Sequence, residues 1–291
     1  MKSIKYFFEF FLVIIFFFIF KIIGLKNSSN LSCFIFKVIG PLLRNKNKIK
    51  SNIQIALPNI KKNKEKEIIN KMWCNYGRVF AEYMHLKKLR DNNFKYIKIN
   101  NVNRLEELRK KNKPILFFSG HFANFELLAM IIEEKKFQVS AIYRPLNNFF
   151  LNPLMEYLRK KYLCNDQIPK SIPGKGKEGT RILIDKIKSK KNIAIMIDQK
   201  VSQGIKCKLF AKDALTTNIP AQLALKHGYL LQPLKIKRYN QINFEIDVCD
   251  TLEVNTNDNQ YLITRKINQI LEKMILDNPD QWIWTHDRWR I

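Results

Sequence analysis

The sequence has few of the residues from which disulfide frameworks and metal sites are built. Five cysteines and four histidines occur among 291 residues. The cysteines are odd in number, widely spaced and without a Cys-x-x-Cys pair, and the histidines lack a short ligand spacing. We therefore predict no metal or other cofactor, and reduced, mostly packed thiols at Cys33, Cys74, Cys164, Cys207 and Cys249.

Acidic residues are also scarce, because 25 Asp and Glu stand against 52 Lys and Arg, a formal net charge of +27. Such a positive field attracts anionic membranes, acidic proteins or nucleic acid. The basic residues are scattered, and no zinc-finger, helix-turn-helix or RNA-recognition signature accompanies them. We therefore predict an anionic lipid surface as a partner and no nucleic acid, although AT-biased coding also enriches lysine and the charge alone does not decide.

Only one long hydrophobic run is present, near the amino terminus. Its unbroken core is Phe10 to Phe20, and the mostly apolar stretch from Tyr6 to Leu25 reaches the roughly 20 residues that a membrane-spanning helix needs. No small-x-small cleavage site follows, so an uncleaved membrane anchor over residues 1–25 is favoured over a signal peptide. More basic residues follow this segment than precede it, which predicts that the main domain lies in the cytoplasm.

The rest of the chain divides into a linker and one domain. A second apolar stretch, Leu31 to Leu43, is too short to span, and within a basic interfacial linker over residues 26–50 it is predicted either to lie along the membrane or to pack in the core. From about Tyr96, short strands alternate with helices. Residues 51–291 are therefore predicted to form an α/β domain, with a mixed or mostly parallel sheet flanked by helices.

The most informative stretch predicts a strand, a tight turn and a helix. Ile115 to Phe118 is a continuous apolar run typical of a strand buried on both faces, and Ser119-Gly120 supplies the turn. His121 and Glu126 follow, and they can touch only if His121 precedes the helix. The carboxylate would then hold one ring nitrogen while the other takes a proton as a general base. The alternative is a helix-start histidine with an ordinary surface glutamate.

Two further strands end in polar residues. Arg144 directly follows a predicted strand and precedes Pro145, which keeps it extended. Asp198 and Gln199 follow the buried strand Ile193 to Ile197. In open α/β sheets ligands bind at the carboxyl ends of strands, so Arg144 is a candidate ligand contact, with a surface ion pair as the alternative.

These blocks resemble one known family. The sequence is similar, from about residue 50 to the end, to the late acyltransferases of lipid A biosynthesis, distant relatives of the glycerol-phosphate acyltransferases. The blocks that carry the resemblance are Gly120-His121-Phe122-Ala123-Asn124-Phe125-Glu126, Tyr143-Arg144-Pro145, Asp198-Gln199, Thr217-Asn218-Ile219-Pro220 and the Trp- and Arg-rich tail at 280–290. The sequence departs from the family pattern at Ala123 and Phe125, often glycine and tryptophan, and at Leu209-Phe210-Ala211, often Phe-Phe-Gly.

The resemblance implies a membrane-anchored enzyme on the cytoplasmic face of the inner membrane. It would transfer a fatty acyl chain from an acyl carrier protein thioester to a hydroxyl of a lipid A precursor. His121 and Glu126 would be catalytic, and Arg144, Asn124 and Asp198 would bind substrate. The alternatives are acylation of another membrane phospholipid or glycolipid, or a non-enzymatic, basic, membrane-tethered binding protein.

Overall fold

The computed structural model describes residues 2–91, 95–170 and 177–290. Ten α-helices lie in these ranges: α1 Lys2–Leu43, α2 Lys46–Ala56, α3 Lys62–Glu82, α4 Leu86–Asp91, α5 Asn103–Lys110, α6 Glu126–Glu134, α7 Asn152–Tyr162, α8 Glu178–Lys188, α9 Ile219–His227 and α10 Gln260–Asp277. A short 3-10 helix, Tyr83–His85, joins α3 to α4. Nine strands alternate with them: β1 Ile97–Asn100, β2 Ile115–Ser119, β3 Val139–Tyr143, β4 Asp166–Pro169, β5 Asn192–Met196, β6 Ile205–Leu209, β7 Lys212–Thr216, β8 Leu230–Tyr239 and β9 Asn243–Val248.

Seven strands form one sheet in the order β1-β9-β8-β2-β5-β3-β4. All neighbouring pairs are parallel except β8 and β9. The predicted α/β fold with a mostly parallel sheet is therefore confirmed. β2 lies at the centre and all five of its residues are buried, as its continuous apolar run requires. β6 and β7 form a separate antiparallel hairpin.

The topology gathers the candidate site residues at one edge of the sheet. Strands β2, β5, β3 and β4 are parallel neighbours, so their carboxyl ends point the same way. His121 follows β2, Asp198 follows β5 and Arg144 follows β3. In the chain, the neighbouring strands β2 and β5 are separated by β3 and β4, and the order of the sequence does not indicate that pairing.

The N-terminal segment is part of a longer helix that packs on the domain. In the part of the chain that the structure describes, α1 is the one helix long and apolar enough to cross a membrane. Its path bends at Gly24, which has φ 78° and ψ 170°. Phe17, Phe20 and Leu25 are nevertheless buried in the main hydrophobic core. The segment predicted as an anchor therefore also contributes to the folded core.

The second half of α1 lies against α3 at backbone contact distance. A Cβ atom on Gly77 of α3 would overlap the carbonyl oxygen of Ser32, so only glycine fits there. The same close approach joins Cys33 to Cys74 in a disulfide. The prediction of reduced thiols was therefore wrong for this pair, because two cysteines 41 residues apart give no sign in the sequence that their helices touch. The other three cysteines are free.

The segment after α10 lies across the site edge of the sheet instead of forming a helix. Its tryptophans Trp282, Trp284 and Trp289 are buried, and Trp282 pairs with Phe122 in an antiparallel β-bridge. The side-chain amide of Asn52 in α2 donates to the carbonyl oxygens of Trp284 (2.9 Å) and His286 (2.6 Å). This tail therefore connects the N-terminal helices to the turn that carries His121.

Candidate active site

The turn after β2 brings His121 against Asp198. As predicted, His121 lies ahead of helix α6, which begins at Glu126. A Cβ atom on Gly120 would lie 2.7 Å from the Phe122 ring and 3.2 Å from Asp198 Oδ2. Glycine at this position therefore leaves the space in which the carboxylate approaches the backbone.

Asp198 is the carboxylate partner of His121. Its Oδ1 lies 2.6 Å from His121 Nδ1, and its Oδ2 accepts from the His121 backbone amide at 2.7 Å and from Trp282 Nε1 at 2.8 Å. Burial alone raises the pKa of Asp198, but the His121 imidazole and its hydrogen bonds outweigh burial and hold that pKa well below 3.8. An ionised Asp198 keeps a proton on Nδ1 and leaves Nε2 free to accept one.

A second histidine lies on the Nε2 side of the ring. The Gln199 side-chain nitrogen is 3.3 Å from His121 Nε2 and 3.1 Å from His286 Nε2. An amide nitrogen has two hydrogens to donate, so it satisfies both ring nitrogens when both imidazoles are neutral. Burial, followed by the charge that His121 carries when protonated, lowers the pKa of His286 to about 4.

The contact predicted between His121 and Glu126 is not formed. Glu126 Oε1 instead accepts from the Tyr83 hydroxyl and from Arg159, at 3.1 Å from Nε and 2.7 Å from Nη2. The reason is the order of the sheet: Asp198, at the end of the strand next to β2, occupies the ring nitrogen, while α7 places Arg159 beside Glu126.

Arg159 is held by Glu126, but Glu126 does not accept from all of its hydrogen-bond donors. Its guanidinium carbon lies 5.5 Å from the Tyr143 ring centroid and 5.8 Å from the Tyr83 centroid. Its Nη1 is buried, and no residue in the described ranges gives it a hydrogen-bond partner. A buried charged donor normally has one, so the vacant Nη1 marks a position where an acceptor on a ligand can bind.

Arg144 is exposed, and among the described residues it has no hydrogen-bond or ion-pair partner. The surface ion pair considered as its alternative is therefore not formed with any residue that the structure describes. Lys170 lies on the same side of the site, where burial and the charge of Arg144 lower its pKa. Both cations are thus available to an anion.

Asn124 faces away from this group. It is 1% exposed and donates to Glu82 Oε2 at 2.9 Å, and Glu82 in turn is paired with Arg238. The substrate contact predicted for Asn124 does not match this position, because the residue is buried in a polar cluster between α3 and β8. Asp198, also predicted to bind substrate, is fully buried behind His121.

One cavity connects these residues. It has a volume of about 420 Å³, in the range of ligand pockets. His121, Glu126, Arg144, Arg159 and Lys170 line it at the carboxyl edge of the sheet. Apolar side chains line much of the remainder, among them Phe117, Leu128, Ile132, Ala141, Leu163, Ile168, Leu183, Ala194 and Met196. In the described ranges, no group of three or more His, Cys, Asp and Glu could hold a metal ion.

Sequence reasoning missed several residues of this site. Gln199 was visible next to Asp198, and the tail that carries Trp282 and His286 stood out by its aromatic content, but neither signal gave a position in space. Arg159 and Tyr83 gave no signal at all, because they lie 33 and 43 residues from Glu126.

The depressed pKa of His286 predicts acid sensitivity. The ordinary pKa of histidine is 6.5, so His286 becomes protonated near pH 6.5 in the unfolded chain. In the folded protein it becomes protonated only near pH 4. The stability that this histidine contributes is therefore complete above pH 6.5 and is lost between pH 6.5 and 4, at no more than about 1.4 kcal/mol per pH unit.

Thermal unfolding in detergent tests this prediction. The drop in Tm between pH 7.5 and pH 5 should be smaller in His286→Gln than in the wild type. In His227→Gln, an exposed control, it should be the same as in the wild type. An equal drop in both variants would contradict the assignment.

Comparison with known proteins assigns the family. No curated protein matches the chain at a significant level. The sequence model of one family, described as bacterial lipid A biosynthesis acyltransferase, matches residues 1–291, which is the whole chain. This match rules out the non-enzymatic alternative, and the chain belongs to the lipid A biosynthesis acyltransferases.

Proposed function

We propose that the enzyme transfers a fatty acyl chain from an acyl carrier protein thioester to a hydroxyl of a lipid A precursor. Membership of the family indicates that the chain catalyses acyl transfer in lipid A biosynthesis. The observation that supports the rest is the position of His121, which lines the cavity where its apolar part meets three cations, Arg144, Arg159 and Lys170. In the structure its Nε2 is contacted by the Gln199 amide, which an acceptor hydroxyl would replace.

His121 is the general base in this proposal. Its Nε2 takes the proton from the acceptor hydroxyl as that oxygen attacks the thioester carbonyl carbon. The carbon–sulfur bond then breaks, and the departing sulfur takes the proton back from the imidazolium. Asp198 holds the tautomer and stabilises the imidazolium, the role first predicted for Glu126. In this proposal the acyl group passes directly from donor to acceptor, without an acyl-enzyme intermediate, because the sequence has no nucleophile-elbow serine or cysteine.

The cavity separates the two parts of an acylation reaction. Its apolar portion accommodates the fatty acyl chain, whose transfer from water is favourable in proportion to the apolar area buried. The polar portion, at the carboxyl edge of the sheet, keeps the thioester carbonyl next to His121. A fatty acyl chain bound in this way presents its thioester end to His121.

The cations at the site edge select an anionic acceptor. Arg144 and Lys170 are available to a phosphate, and the open Nη1 of Arg159 supplies one more donor inside the cavity. Glu126 fixes Arg159 rather than His121, so its contribution is to position a cation. A lipid A precursor offers phosphates and hydroxyls together, whereas acylation of another phospholipid or glycolipid remains the second candidate.

The charge of the protein suits both partners. An acidic carrier protein and an anionic membrane are each attracted by a net charge of +27. We place the protein at the inner membrane with its catalytic domain on the cytoplasmic face, where anionic lipids attract the lysines and arginines that follow the apolar segment.

The first test removes the base. His121→Ala should reduce turnover by about 100-fold to 10,000-fold, because loss of a general base commonly costs that much. The assay follows the acylated lipid A precursor by mass spectrometry, with acyl carrier protein as donor. His227→Ala, on the exposed end of α9, is the matched control and should keep full activity. Near wild-type turnover in His121→Ala would refute the mechanism.

A second test separates the two carboxylates. Asp198→Asn keeps the shape but loses the charge that supports the imidazolium, so kcat should fall by about 100-fold or more. Glu126→Gln should act mainly on KM for the acceptor, because it loosens Arg159. Thermal unfolding reports whether each variant folds. If kcat collapses in Glu126→Gln and survives in Asp198→Asn, Glu126 is the partner of the base after all.

The third test concerns Arg144. Arg144→Lys keeps the charge but cannot form two parallel hydrogen bonds to a phosphate, so KM for the acceptor should rise by about 10-fold to 100-fold. The control is Arg109→Lys in α5, an exposed arginine outside the cavity. If lysine serves equally well at position 144, the residue only attracts substrate from a distance.

A further inference from the structure

The first half of α1, residues 2–23, has two apolar faces with different surroundings. One face packs on the domain through residues at helical spacing, which are Tyr6, Phe10, Val13, Phe17 and Phe20. The opposite face is exposed and equally apolar, with Ile4, Phe8, Phe11, Leu12, Ile15 and Phe18. At 100° per residue the two sets lie on opposite sides of the helix. Protein therefore covers one side of this segment between Tyr6 and Phe20.

The amino-terminal end of the segment is attached beside the active site. The Asn148 side-chain amide donates to the Tyr6 carbonyl oxygen at 2.8 Å and to Glu9 Oε2 at 3.3 Å. The Tyr6 ring lies 5.8 Å from the Phe149 ring, centroid to centroid. Asn148 and Phe149 belong to the loop that starts at Arg144, so this end of α1 lies close to the cations of the site.

The other end of the segment is attached to α3. The rings of Phe17 and Phe20 lie 5.1 Å and 5.9 Å from the ring of Phe80. Tyr6 and Phe20 are 14 residues apart, a distance of about 21 Å along a helix. The domain thus contacts the segment over most of the roughly 30 Å that a bilayer core measures.

We infer that the first half of α1 lies in the plane of one membrane leaflet and does not cross the bilayer. A helix that crosses alone needs lipid on every side, whereas here a folded, highly charged domain occupies one side between Tyr6 and Phe20. The outer face enters the acyl chains, while the charged domain on the inner face takes the place of the polar face of an interfacial amphipathic helix. Phe149, 53% exposed, extends this apolar surface to the loop after β3. Lys5 and Lys21 on the flanks reach anionic head groups.

The in-plane helix also bears on how the acceptor lipid reaches the site, an inference that rests on the proposed function. Phe149 follows Arg144 by five positions, so a leaflet that takes up Phe149 holds its head groups at the level of Arg144. A phosphate-bearing lipid then reaches the cavity without leaving the membrane.

Cross-linking in native membranes tests the geometry. The double variant Tyr6→Cys/Phe149→Cys in the full chain should form a disulfide on mild oxidation, found by mass spectrometry as a linked peptide pair. Phe11→Cys/Phe149→Cys is the matched control, because Phe11 lies on the outer face, and it should remain largely unlinked. A crossing helix would carry Tyr6 to the far side of the bilayer, so absence of the first link overturns the inference.

Labelling of Ser3→Cys decides the topology independently of cross-linking chemistry. An in-plane helix keeps position 3 on the cytoplasmic side, so a membrane-impermeant maleimide added to spheroplasts should label it only after permeabilisation. Labelling of intact spheroplasts would show that α1 crosses the membrane. Both readouts are independent of turnover, so a failure here with His121-dependent activity intact rejects the in-plane helix and leaves the proposed function standing.

Discussion

A buried carboxylate stays ionised only where hydrogen bonds and positive charge replace the water it has lost. Asp198 meets this condition with three donors: two from His121 and one from the indole of Trp282. Each donor depends on a different part of the fold. The ring requires the pairing of β2 with β5, the backbone amide requires the open space at Gly120, and the indole requires the tail to cross the sheet edge. His121 can therefore be correctly placed only when the whole domain has folded.

The tail acts as a clamp between the N-terminal helices and the site. Asn52 and Tyr76, from α2 and α3, bind its backbone and its Thr285 hydroxyl, and Arg288 reaches into the β6–β7 hairpin to the Leu215 carbonyl at 3.0 Å. Burial lowers the pKa of Arg288 to about 10, still far above neutral pH, so the clamp keeps its charge. Residues from α2, α3 and the tail thus support the candidate site, although His121 lies near the middle of the sequence.

The sequence was most informative where an interaction is local. The strand, turn and helix around His121 follow from about 18 consecutive residues. An unbroken run of apolar residues predicts a strand buried on both faces, and the turn residues mark its end. The predicted contact between His121 and Glu126 was wrong because the carboxylate nearest to His121 in the chain is not the nearest in space. Sheet order decides that question, and nothing in the local pattern of β5 shows that it lies beside β2. In α1 the opposite difficulty arises: every face is apolar, so the pattern cannot distinguish a face covered by protein from a face covered by lipid.

The short connection from Arg144 to Phe150 changes how the acceptor is encountered. A loop that is bound to the membrane at one end and to the reaction centre at the other confines the search for the acceptor to two dimensions. The relevant concentration is then the mole fraction of the acceptor among the surrounding lipids, not its amount per volume of the suspension. Adding inert lipid at a constant amount of acceptor would lower the acceptor concentration in the membrane. The apparent KM for the acceptor should therefore be expressed per unit of membrane surface.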